Sequence, residues 1–235
     1  MKMDIQRAAE LLAVRSTKEF GNALKDGGDP FKDFYKSLPI CILDAVFSIG
    51  VRYTSVVNVV NSYIGAFDLT ISRTQADETE HTIRDFLANV AKYDTIEDFS
   101  RNALHNMQRT SSRSGILKAE ACRDVALVCQ KHGINTLRDF NDYTNKAALD
   151  RDIKSVRGQG SGIMLKYLYM LAGDENRVKP DRHIVRFIKE TCALQKLTDD
   201  DAQLIMARAV EMLKPEYPNI TVRFLDNLIW ETQRQ

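Results

Sequence analysis

Asp152-Ile153-Lys154-Ser155-Val156-Arg157-Gly158-Gln159-Gly160-Ser161-Gly162-Ile163-Met164 is the stretch on which the fold of this chain turns. Helical spacing runs up to it and away from it, with a Gly-x-Gly turn between. Gly158 and Gly160 let the backbone turn tightly and approach another surface closely. The second helix begins at once, so its unpaired first-turn amides point back into the turn. Such amides suit an anion, a phosphate above all. No strand precedes the glycines, which excludes a dinucleotide fingerprint. On these residues alone, plain punctuation between two helices is the commoner use of the pattern.

Downstream comes Lys179-Pro180-Asp181-Arg182-His183-Ile184-Val185-Arg186. Pro180 disfavours a helical Lys179, so Asp181 opens the next helix as its N-cap. A cap and a reactive carboxylate are compatible roles for one residue. His183 follows Asp181 by two positions, so on a helix the two side chains point apart. His183 reads as structural.

Outward from there the whole chain reads as helix. Residues 4–25 carry an apolar stripe, and Gly27-Gly28-Asp29-Pro30 breaks it. Residues 38–47 are too apolar for a surface helix and predict a central buried one. Gly50 interrupts it, and residues 55–64 resume. A more polar helix is expected over 72–92, with Asp94 or Thr95 capping a short one after it. Residues 116–130 are amphipathic and stop at His132-Gly133. Short pieces fill 136–157, and helices are expected over 161–172 and 182–193. Thr198, followed by three aspartates, reads as a helix cap rather than a metal site. Residues 214–219 form a loop, and residues 221–233 end in a helix whose Trp230 belongs to the core. About ten helices with short connections predict an all-α fold.

The 235 residues are 44% hydrophobic, enough for one large domain or two small ones. With 33 basic and 32 acidic residues the net charge is +1, so there is no overall attraction to nucleic acid. Any such contact has to come from backbone amides or a local patch. Basic residues do outnumber acidic ones from Arg151 to Lys189, and residues 109–115 form a second basic, small-residue loop suited to a phosphate or to a plain turn. The four cysteines, at 41, 122, 129 and 192, form no CxxC pair, which argues against a metal site and for buried thiols in a cytoplasmic protein. No signal-peptide pattern opens the chain and no apolar run is long enough to span a membrane.

The Gly-x-Gly turn, the helix after it and the aspartate with its D-x-H-I-x-R context together resemble the helix-hairpin-helix DNA glycosylase superfamily, which includes endonuclease III. Residues 42–60 and 115–128 resemble it more weakly. The resemblance implies two helical lobes, a six-helix lobe over 38–175 and a second from 1–37 with 176–235, and a hairpin at the cleft between them. It implies duplex DNA as partner, a monomer, and hydrolysis of the N-glycosidic bond of a flipped base with Asp181 as catalytic carboxylate. Gly158, Gln159, Gly160, Ser161, Gly162 and Lys166 would hold DNA, while Arg52 and Tyr53 would enter the duplex or line the base pocket.

Three departures qualify it. Gly162 stands where bifunctional members have a nucleophilic lysine, which implies a monofunctional enzyme, with Lys166 or Lys179 as the displaced amines to consider. Gln159 is polar where the family's turn is anchored by an apolar residue. The iron–sulfur loop is missing, so no cofactor is implied, a monovalent cation at the hairpin being the one ligand the resemblance admits. The competing class is a DNA-binding module that keeps the fold without the chemistry.

Overall fold

The structure is a computed structural model and describes residues 4–26, 35–69 and 80–233. Its described residues are helical, with twelve helices and no strand beyond an isolated bridge between Arg109 and Leu117. The chain divides into two compact units, residues 33–173 and the two chain ends, 1–32 with 174–235.

The inner unit contains α2 (Leu38–Phe47), α3 (Tyr53–Ala66), α4 (Ile83–Val90), α5 (Ile96–Asn102), α6 (Lys118–Lys131), α7 (Leu137–Asp142), α8 (Lys146–Ser155) and α9 (Ile163–Ala172). Every residue of α2 is buried, and α3, α6 and α9 pack around it. Pro39 at its first turn costs nothing, because an N–H there has no helical partner. Gly50, with φ +72°, ends the buried run in a turn. α4 starts at a capping box, Thr82 and Asp85 exchanging hydrogen bonds with each other's backbone. The expected helix over 72–92 is therefore shorter in its described part, and residues 72–79 lie outside the described ones, as do Gly27 to Pro30. Thr95, rather than Asp94, caps α5.

The single acid on α2, Asp44, is fully buried. The hydroxyls of Tyr35 and Tyr53 donate to its Oδ2 at 2.9 and 3.4 Å, and Tyr167 bonds to it as well. Burial first, and the Asp44 charge next, push the Tyr35 and Tyr167 phenols far above their usual range, so both stay protonated as donors.

The other unit contains α1 (Ile5–Asp26), α10 (Arg182–Cys192), α11 (Asp199–Leu213) and α12 (Val222–Gln233). α1 lies along α11, with Ala9 and Leu12 buried among Ile188, Ile205 and Ala209. Phe20 stacks on Phe187 at 5.9 Å, and the Arg15 guanidinium sits 3.9 Å over the same ring. Thr198 caps α11 by accepting from Asp201. Trp230 packs half-buried against this core. No helix among the described residues is long and apolar enough to cross a membrane, and no cluster of their His, Cys, Asp and Glu side chains could hold a metal.

All four cysteines are free thiols, with Cys41, Cys122 and Cys129 buried and Cys192 half-buried. Burial raises the Cys122 thiol and pushes Cys129 up to about 12. We expect Ellman's reagent to modify only Cys192 in the native protein within minutes, and all four thiols in denaturant. Rapid native modification of Cys122 or Cys129 would contradict this packing.

Candidate nucleic-acid interface

α8 ends at Ser155, residues 156–162 turn, and α9 starts at Ile163. The turn closes on itself through Gln159 N–H to Val156 O at 2.9 Å and Gly162 N–H to Gln159 O at 3.1 Å. Gln159 is only 3% exposed, so it occupies the inward, anchoring place despite its polarity. α9 has no side-chain cap, since Gly162 is its N-cap residue. The amides of Gly160, Ser161, Met164 and Leu165 have no hydrogen-bond partner among the described residues, whereas Ile163 N–H makes a long contact of 3.5 Å to Ser161 Oγ. Four donors of one sign are thus left at a helix start, where the partial positive charge of the helix is also felt.

The glycines divide their work differently from the expectation. Gly158 does turn left-handed, at φ +87°, and a Cβ there would stand 2.4 Å from Thr110 Cβ. Gly160 is neither left-handed nor crowded, its nearest neighbour being Lys154 O at 3.8 Å. The second left-handed position is Gly162, at φ +76°. A side chain at 162 would also meet Lys154, whose Cε lies 2.9 Å and Nζ 3.6 Å from the Cβ site. The end of a lysine from the preceding helix therefore lies beside the position where bifunctional members carry theirs. Sequence spacing gave no sign of this, because Lys154 sits eight positions earlier in the chain.

The 109–115 loop is docked on the same turn. Thr110 fills the room that Gly158 leaves, and Arg157 Nη2 donates to Ser114 O at 2.6 Å. Arg109 Nη1 closes the loop onto Gly115 O at 3.0 Å. Gly115 is required there, since a Cβ would fall 2.2 Å from Ser111 N. The two phosphate-suited segments of the sequence are thereby brought together, with Arg113, Lys154 and Arg157 exposed around them. Ser161 is exposed, and Lys166 is half-buried one turn into α9, its N–H bonded to Gly162 O at 3.0 Å. Arg52 and Tyr53 open α3, Arg52 as its N-cap residue; both are exposed, and Tyr53 turns its hydroxyl inward to Asp44.

Asp181 belongs to the other unit. It is the N-cap of α10, and its Oδ1 accepts from His183 N–H at 2.8 Å and Ile184 N–H at 3.2 Å. The His183 ring turns to Gln233 O at 3.1 Å, in keeping with a structural role. A second acid near Asp181 escaped the sequence reading. Asp226 on α12 is buried, and its carboxyl is raised well above the usual range by burial and then by the Asp181 charge. Its one sequence signal is an acid set among the apolar residues of α12.

By architecture this is an all-helical chain in which the Gly160 and Ser161 amides of an interhelical turn, on exposed residues, are unpartnered among the described ones. Residues 12–234 match the family described as a domain of unknown function, DUF8548, and the chain belongs to that family. No curated protein and no solved structure matches it.

The glycine geometry predicts an asymmetry. Gly158→Ala combines a left-handed φ with a clash, so it should cost about 2 kcal/mol or more in urea unfolding. Gly160→Ala meets neither obstacle and should stay within about 1 kcal/mol of wild type. Equal costs would mean that the turn is built otherwise.

Proposed function

We propose that this chain binds duplex DNA through the 156–162 turn and hydrolyses the N-glycosidic bond of a damaged or modified base, with Asp181 as catalytic carboxylate, as a cytoplasmic monomer. The observation that carries the binding reading is the uncapped start of α9 with its four unpartnered amides. A backbone phosphate is the anion such a turn fits. Amides work without net positive charge, which reconciles a chain of charge +1 with a polyanionic partner. Lys154 and Arg157 add local cations at the turn, and Arg113 adds another from the docked loop. Contacts of backbone amides to phosphate position the protein without reading sequence, so this grip is independent of sequence.

The chemistry rests on Asp181 and on the resemblance of its segment to the glycosylases. As the bond from sugar C1′ to the base nitrogen breaks, its electrons leave with the base and C1′ gains positive charge. Asp181 stabilises that charge and accepts the proton of the water that attacks C1′. Gly162 carries no amine, which supports hydrolysis without an amine attack from that position. A second reading, a DNA-binding module without chemistry, is favoured by one feature: Asp181 Oδ1 is already engaged by two amides, as a cap alone would require.

Three measurements decide between them. Duplexes carrying different damaged bases should yield abasic sites, and borohydride should trap no adduct. Asp181→Asn still caps α10, so stability should fall by no more than a few tenths of a kcal/mol. Base release should nonetheless fall at least ~10²-fold while DNA binding persists. Release at the wild-type rate would leave only the binding module. For binding itself, Lys154→Ala should lower the salt slope by about 1, and affinity that survives bulky residues at Gly158 and Gly160 would remove the turn as the contact.

A further inference from the structure

The segment that carries Asp181 is held from behind by two helices. Arg223 N–H, at the start of α12, donates to Glu175 O at 3.1 Å, and its Nη2 reaches Glu175 Oε1 at 3.4 Å. On α11, Gln203 bridges the same segment, accepting from Val178 N–H at 3.0 Å and donating to Asn176 O at 2.7 Å. One turn further along α12, Asp226 Oδ1 accepts from Lys179 N–H at 3.1 Å. The carbonyl of that same Lys179 accepts from Asp181 N–H at 2.6 Å. A single residue, Lys179, therefore links the Asp226 carboxyl to the backbone of Asp181. Pro180 between them is buried and fixes its own φ, which leaves little slack.

We propose that Asp226 is a positioning residue for Asp181, fixing the place of that carboxylate through the backbone of Lys179. The inference rests on the assignment of Asp181 to the chemistry above. Asp226 is 6% exposed, so it touches no substrate and acts only through its neighbours. A buried acid is an expensive acceptor for one amide, and an asparagine or a serine would serve a loop tie alone at lower cost. An acid that keeps its proton offers the acceptor without a second negative charge beside Asp181. Burial and the Asp181 charge hold it in that form, against the Lys179 N–H and the Lys179 charge. Those are the charged groups acting on it from the loop; α11 faces the loop with the Gln203 amide, and Arg223 lies one turn back on α12.

The sign of the pH effect follows. Asp226 binds its proton more tightly folded than unfolded. Its contribution to stability is complete below the unfolded value of about 4 and is lost as pH rises towards the folded value. Asp226→Asn carries no proton to lose, so wild type should lose stability relative to this variant as pH rises above about 4. Asp181→Asn should shrink that difference, because it removes the neighbouring charge. A tie uncoupled from Asp181 would leave that difference the same with aspartate or asparagine at position 181.

The test uses the full chain. Amide hydrogen exchange at Lys179 should quicken at least ~10-fold in Asp226→Ala and recover in Asp226→Asn, whose Oδ1 still accepts. On a duplex from which wild type releases a base, Asp226→Ala should slow release at least ~10-fold with DNA affinity unchanged, and Asp226→Asn should restore it to within a few-fold. Unchanged Lys179 exchange in the alanine variant, a pH difference that Asp181→Asn leaves unaltered, or wild-type release by Asp226→Ala each overturns the assignment. Should wild type release no base from any duplex, the proposed chemistry fails on its own, and the exchange and pH arms still sustain or reject the coupling of Asp226 to Asp181.

Discussion

A helix with no exposed residue has to be enclosed on every side, and α2 imposes that condition on the inner unit. Each large apolar side chain it buries contributes about 1.5–3 kcal/mol. α3, α6 and α9 supply the enclosure, and α9 does so with Met164, Leu165, Leu168 and Leu171. Since α9 is pinned along its length, its first residue is pinned too. The free amides of the 156–162 turn are thereby placed by the core, not by the turn's own few hydrogen bonds. Asp44 is the exception inside this core, and an isolated buried carboxylate would cost several kcal/mol. Three tyrosine hydroxyls offset that cost, and they tie α2 to Tyr35, to the start of α3 and to α9.

The turn and the Asp181 segment solve one problem by opposite means. Each must hold polar groups still at a place where regular helix is interrupted. The turn is held by steric fit, Thr110 standing where a Gly158 side chain would be. The Asp181 segment is held from behind by hydrogen bonds from Gln203, Arg223 and Asp226. Steric fit suits a site whose donors must stay unpaired for a ligand. Hydrogen bonding suits a segment whose single carboxylate must stay oriented while its backbone is satisfied.

The helices were largely legible because periodicity and caps are local. Residues 38–47 announced a buried helix by composition, while Thr95, Thr198 and Asp181 announced helix starts by residue type, and each accepts the expected backbone bonds. What stayed hidden depends on partners distant in sequence. Thr110 meets Gly158, and Lys179 meets Asp226, across nearly fifty residues that no spacing rule connects. Gly162 was legible only as a missing lysine, because its left-handed φ follows from how α9 is seated. Gly160 misled for the converse reason: a glycine in a turn suggests a special backbone, and here the backbone is ordinary.

Near-neutral charge bears on how such a surface would choose its partner. A strongly basic protein attracts any polyanion at long range, and its affinity falls steeply with salt. Fixed amides act only at contact, on an anion that fits between them, so discrimination comes from shape. The cost is that the amides must be kept free of internal partners when the turn is empty, which lowers stability at the site itself. Gly162 as N-cap illustrates the exchange. A serine or aspartate there would satisfy an amide of α9 and strengthen the helix. The left-handed φ disfavours both residues at this position, and the donor such a cap would consume remains available to a ligand.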